Sequence, residues 1–177
     1  MRINQDVEVQ KKRSMANREI AGGNALSQSV TAMALMVTEA CNLLCSYCYG
    51  SYHKDHGRKM EWQTARKSVE WLIARSGDRK NLRLTFFGGE PLLQFEMIRE
   101  IAGYTKKAIS GHDKQITFEM TTNATLMSTE VIQFFKEYKI KPLISFDGPE
   151  EIQNKQRPFI NGRGSYKIAG QLIRELL

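Results

Sequence analysis

Four times along this chain a strand-sized apolar run gives way to a stretch with helical periodicity. Thr31 to Thr38 (TAMALMVT) is a short apolar run bounded by polar residues, the pattern of a buried strand. Trp62, Ala65, Val69, Leu72 and Ile73 then recur at helical spacing, and Gly77 supplies a stop. Leu82 to Phe87 (LRLTFF) is a second strand. Pro91 suits the first turn of a helix whose apolar face is Phe95, Ile98, Ile101, Ala102, Thr105 and Ile109. Gln115 to Thr121 (QITFEMT) alternates as a third strand. Ser128 is placed to cap a helix with Val131, Phe134, Phe135 and Tyr138 on one face. Pro142 to Phe146 is a fourth strand; a polar loop follows it, and Ser165 to Leu177 reads as a last helix. Strands alternating with helices predict βαβ units around a parallel sheet, an α/β fold.

In such sheets ligands bind at the carboxyl ends of the strands. Every unusual motif of this sequence falls there. Cys41, Cys45 and Cys48 follow the first strand, and Gly88-Gly89-Glu90-Pro91 follows the second. Thr121-Thr122-Asn123 closes the third, and Ser145-Phe146-Asp147-Gly148 closes the fourth.

The three cysteines are the only ones in the chain and lie within eight residues. Clustered thiols in a reducing compartment read as metal or redox ligands, not as a disulfide framework. A soft ligand set favours zinc, copper or an iron–sulfur cluster. A cubane cluster is usually held by four thiolates, so three leave one iron open. The alternatives are a zinc site completed by His53 or His56, or three unrelated buried cysteines. Gly88 and Gly89 let backbone approach a ligand closely and expose its amides, and Glu90 can accept hydrogen bonds from an ammonium group. A tight turn with a first-turn Glu explains the same residues. Asn123 fits a turn as well as a ligand contact, and Arg157 fits a surface position in a polar loop.

The composition is that of an ordinary globular chain, 41% hydrophobic and 25% charged over 177 residues. No apolar run approaches the roughly 20 residues of a membrane span. The N-terminus lacks the apolar stretch of a signal peptide, which makes a cytoplasmic location the default. The net charge of +7 is spread along the chain. It reads as a solvated basic surface rather than a nucleic-acid site, and some of it can attract an acidic peptide or the anionic parts of a cofactor. Residues 1–30, polar and carrying Gly22-Gly23-Asn24, read as an N-terminal arm or lead-in; residues 31–177 read as the core.

The spacing Cys41-x3-Cys45-x2-Cys48, with Tyr47 before the last cysteine, resembles the cluster motif of the radical S-adenosylmethionine enzymes. The resemblance implies a [4Fe-4S] cluster on the three cysteines and S-adenosylmethionine on the open iron, with reductive cleavage to a 5′-deoxyadenosyl radical. Gly88-Gly89-Glu90 resembles the motif that binds the cofactor's amino group, and Glu90 is the residue carried across. Asn123 then lies along the cofactor pocket, and the backbone near Tyr47 lies against the adenine. Ser145 to Arg157 (SFDGPEEIQNKQR) and Asn161 to Tyr166 (NGRGSY) resemble the peptide-modifying subgroup related to anaerobic sulfatase-maturating enzymes. There the equivalents of Ser145 and Arg157 contact the cofactor. The implied partners are a peptide or protein substrate, modified to formylglycine or a thioether crosslink, and a flavodoxin or ferredoxin as electron donor. The family fold is a partial (β/α) barrel of six units, of which this chain supplies about four, so the expectation is a core truncated at its C-terminus. With no cysteine beyond Cys48 it holds no auxiliary cluster. A non-catalytic cluster- or peptide-binding module and a zinc-binding structural protein are the competing readings.

Overall fold

The computed structural model describes residues 29–50 and 57–176. The expected N-terminal arm therefore lies outside the described residues except for its last two positions, as do His53 and His56. Four strands form one parallel sheet in sequence order: β1 (Ala32–Thr38), β2 (Asn81–Gly88), β3 (Gln115–Thr122) and β4 (Lys141–Ile144). The helices are α1 (Trp62–Arg75), α2 (Phe95–Ile109), α3 (Thr129–Tyr138), α4 (Glu150–Gln156) and α5 (Tyr166–Leu176). A helix links each strand to the next, which is what parallel neighbours require. This is the expected α/β architecture, an open segment of barrel.

The sheet has two unlike faces. Leu35 and Val37 of β1, Leu82, Leu84 and Phe86 of β2, and Phe118 and Met120 of β3 are buried together with the apolar faces of the helices. Phe86 and Phe118 stack with ring centroids 5.9 Å apart. Burying each such side chain contributes about 1.5–3 kcal/mol. The alternate positions form a more open, partly polar face, where Thr85 donates to Glu119 (3.1 Å) and Arg83 lies 3.7 Å from the same carboxylate. A parallel sheet covered on both faces reads as continuous apolar runs. The alternation in LRLTFF and QITFEMT instead marks one covered face and one that walls a cleft.

The expected helix faces are largely those observed. Ile98, Ile101, Ala102, Thr105 and Ile109 are the buried residues of α2, with Phe95 partly buried against the core. The Ser128 hydroxyl accepts from the Val131 N–H at 3.2 Å and starts α3. Gly77 takes φ +53° just past the end of α1. Three details differ from the expectation. The chain after Glu90 begins with a 3₁₀ turn, Pro91–Gln94, before α2. β4 is shorter than Pro142 to Phe146 and lies at the edge of the sheet, where Pro142 is tolerated because one side of the strand needs no donor. The segment after Pro149, expected as a polar loop, contains α4. Its first turn carries Glu150 and Glu151, which favour a helix N-terminus. Gln153 is its buried residue, so apolar periodicity had nothing to register.

Candidate functional site

β1 delivers the chain into the cysteine loop, and both ends of β1's neighbourhood hold that loop. At its base Thr38 bridges Lys59, the Met60 N–H donates to the Val37 carbonyl at 2.9 Å, and the Glu39 N–H donates to the Arg58 carbonyl at 2.8 Å. The Arg58–Glu39 ion pair there is exposed, so it adds little. On one flank the Gly89 N–H donates to Thr38 O (2.9 Å) and the Glu90 N–H to Ala40 O (2.8 Å). The two glycines are required for this approach. A Cβ on Gly88 would stand 2.2 Å from Thr38 O, and one on Gly89 2.3 Å from Ala40 O. Gly88 also takes φ +152°. These amides, expected to face a ligand, are thus committed to seating the cysteine loop on β2. On the other flank the loop lies against the chain that follows α4. Leu44 N–H donates to Pro158 O (2.8 Å), Ser46 N–H to Gln156 O (2.9 Å), and Leu43 bridges Phe159.

The result is a cavity of about 280 Å³ at the carboxyl ends of the strands. Cys41, Cys45, Cys48, Tyr47, Gly88, Gly89, Asn123, Ser145 and Arg157 all contribute to its wall. Leu43, Phe87, Thr121 and Thr122 complete much of the rest. All three thiols are free and partly buried. Burial pushes the Cys41 thiol up to about 11. It also raises Cys45, with the nearby Arg157 guanidinium pulling the other way. Among the described residues no three His, Cys, Asp or Glu side chains converge on a point that would hold one metal ion. All three thiols nevertheless line the same cavity, near enough to influence one another electrostatically.

Glu90 alone of the expected site residues is absent from that wall. It is fully buried. One carboxylate oxygen accepts from the Leu92 N–H (3.1 Å) and the Thr122 hydroxyl (2.8 Å), and the other accepts from the Asn123 N–H (2.8 Å). Glu90 therefore ties the end of β2 to the end of β3. Burial raises its pKa to about 7, opposed by those hydrogen bonds. The folded chain then binds a proton that the unfolded chain, with its carboxyl at 4.5, has released. Stability from this group is complete below about 4.5 and is lost as pH rises through 7. Urea unfolding from pH 5 to 8 is expected to show stability falling with pH, and Glu90→Gln is expected to flatten that slope. Equal slopes for the two proteins would contradict the assignment.

Asn123 is also bound up with the loop. Its amide donates to Asn42 Oδ1 (2.9 Å), Asn42 donates to the Thr125 hydroxyl (2.8 Å), and that hydroxyl donates back to Asn123 Oδ1 (2.7 Å). The same Asn123 amide nitrogen is 3.9 Å from Cys41 Sγ. Beside Cys45, Arg157 Nε lies 3.0 Å from Asp147 Oδ1, and the Tyr47 hydroxyl donates to Asp147 Oδ2 at 2.6 Å. The guanidinium also stands over the Tyr47 ring, 5.2 Å from its centroid. Partial burial and the Asp147 hydrogen bond raise the Tyr47 phenol to about 12. Arg157 is not the surface arginine of a polar loop; its side chain is only 16% exposed. Asp147 had no assigned role from sequence. Its only local signal is the Asp-Gly pair, with Gly148 at φ +99°.

A cavity in this place, walled by soft thiol donors on an open α/β barrel, belongs to the cofactor-binding barrel enzymes. The model of the Radical SAM superfamily matches residues 35–177, and the chain belongs to that superfamily of enzymes, whose cofactors are a [4Fe-4S] cluster and S-adenosylmethionine. It is 35% identical over 133 residues to an uncharacterised protein of Methanocaldococcus jannaschii, covering 75% of this chain and 44% of that one. It is 28% identical over 144 residues to the cysteine-type anaerobic sulfatase-maturating enzyme of Clostridium novyi, covering 78% and 38%. The structure of native anSMEcpe with bound AdoMet and Cp18Cys peptide superposes with a TM-score of 0.74 at 24% identity, covering 82% of this chain and 39% of that one. The chain thus spans less than half the length of these relatives. Among the described residues no helix is long and apolar enough to cross a membrane.

Proposed function

We propose that this chain is the cluster- and S-adenosylmethionine-binding core of an enzyme that modifies a peptide or protein. The observation that carries the reading is the convergence of three thiols, the Gly88-Gly89 strand end, Ser145 and Arg157 on one cavity. The donor set fits the group: three thiolates suit a cubane with one iron left for a chelating ligand. Cys41, Cys45 and Cys48 would hold the cluster as thiolates, their protons released to solvent on ligation. When bound, the pair of cofactors supplies a one-electron reductive cleavage of the sulfonium to a 5′-deoxyadenosyl radical that abstracts hydrogen.

The chain's own residues bind and orient. Arg157 and Ser145 offer a guanidinium and a hydroxyl to the methionyl carboxylate and ribose. The Arg157 guanidinium, paired with Asp147 through Nε, keeps its charge at the cavity wall, where an anionic ligand group would meet it. With the Glu90 carboxylate occupied, the cofactor's ammonium is left to the backbone of Gly88 and Gly89, and Glu90 acts by holding that strand end. Tyr47, with its neighbouring backbone, walls the adenine side. Asn123 steadies Cys41. The substrate class follows the sulfatase-maturating relatives: a peptide or protein converted to formylglycine or crosslinked through a thioether, with a flavodoxin or ferredoxin as donor in a reducing cytoplasm.

Anaerobically reconstituted protein given dithionite and S-adenosylmethionine is expected to release 5′-deoxyadenosine. The competing reading is a core that binds cluster and cofactor without turnover. Cofactor binding with no 5′-deoxyadenosine formed would select it.

A further inference from the structure

Helix α4 buries an amide where an apolar side chain would cost less to desolvate. Gln153 is 0% exposed, while Glu150, Glu151, Ile152 and Lys155 around it are exposed. A buried amide is tolerated only when both of its ends are bonded. Here both are. Gln153 Oε1 accepts from the Asp147 N–H at 2.8 Å, and Gln153 Nε2 donates to Ser165 Oγ at 2.9 Å. Ser165, also 0% exposed, donates in turn to the Arg157 carbonyl at 2.7 Å. One side chain therefore ties down the backbone of both members of the Asp147–Arg157 pair from behind the cavity wall. Gln153 does not line the cavity itself.

Asp147 and Arg157 form an acid–base pair that also engages the cysteine loop, through the Tyr47 hydroxyl and ring. An arginine on a flexible stem has many places to put its guanidinium. Its selectivity for an anionic group depends on what fixes its backbone and its counter-ion. We infer that Gln153 is a positioning residue of this site: through Asp147 and Ser165 it sets where the Arg157 guanidinium stands, and so the affinity for the carboxylate end of the cofactor. The inference rests on the proposed function and adds to it a residue that touches no ligand.

The test compares wild type, Gln153→Met, Ser165→Ala, Arg157→Met and the Gln153→Met/Arg157→Met double variant, as full chains reconstituted anaerobically. Three quantities are read: iron per chain, the thermal melt, and the dissociation constant for S-adenosylmethionine without reductant. Gln153→Met keeps the iron content, because the cysteine loop is held by other bonds, and loses about tenfold in affinity. Ser165→Ala, which frees only the Arg157 carbonyl, loses affinity in the same direction and less. On the Arg157→Met background, Gln153→Met brings no further loss, the non-additivity expected of residues acting through one another. If Gln153→Met does not fold, Ser165→Ala decides. Folded variants that bind as wild type does, or losses that simply add in the double variant, overturn the inference and leave the function reading standing. A wild-type chain that assembles its cluster and binds no S-adenosylmethionine overturns both.

Discussion

Gly88→Ala is expected to destabilise the folded chain by about 3 kcal/mol and lower its melting temperature by roughly 6–12 °C. Two costs combine. The backbone at φ +152° is one that a side chain rarely adopts, and the added Cβ would overlap the Thr38 carbonyl at 2.2 Å. Relief requires β1 and β2 to part at the point where their register already shifts, between Met36 and Thr38. The cysteine loop leaves β1 there, so cluster assembly is expected to fall along with stability. Gly111→Ala is the control, since a Cβ there meets nothing within 4 Å. Thermal melts of the two variants side by side check the account. A Gly88→Ala protein that melts with wild type would mean that the close seating of the loop on β2 is not required.

The second large effect is chemical. Cys45→Ala is expected to abolish cluster assembly, taking the iron content after anaerobic reconstitution from about four per chain to well below one. Cys45 is half-buried in the cavity wall, with Arg157 near enough to oppose the burial effect on its thiol. No other cysteine exists in the chain to replace it. The fold is expected to survive, because the loop's backbone is bonded to Pro158 and Gln156 through Leu44 and Ser46 rather than through the thiol. Circular dichroism together with iron analysis separates the two effects. A full four-iron complement in the folded variant would contradict the ligand assignment.

The strands and most helices were legible because each buries one face, and burial writes itself as period-two or helical spacing of apolar residues. The strand-end motifs were legible because glycine pairs, clustered cysteines and Asp-Gly are uncommon in strands and helices. What escaped the sequence depends on approach between distant segments. Glu90 reads as a surface or ligand-facing carboxylate, since charged residues are rarely buried. Its burial becomes intelligible only once Thr122 and the Asn123 N–H arrive from β3 to bond it. The glycine pair reads as backbone approaching a ligand, whereas what approaches Gly88 and Gly89 in the fold is the Thr38–Ala40 backbone. Helix α4 has no apolar stripe, so its one informative residue was a glutamine whose partners, Asp147 and Ser165, lie outside the helix. The Tyr47–Asp147 contact joins residues 100 positions apart and leaves no local trace.

On the proposed function, this cavity would hold a four-iron cluster with one iron open to S-adenosylmethionine. Electron paramagnetic resonance of the anaerobically reconstituted, reduced protein, recorded with and without S-adenosylmethionine, tests it most directly. A reduced four-iron signal that changes when the cofactor is added is the expected result. A reconstituted protein that retains zinc and shows no cluster signal, or a cluster signal that the cofactor leaves unaltered, would contradict it.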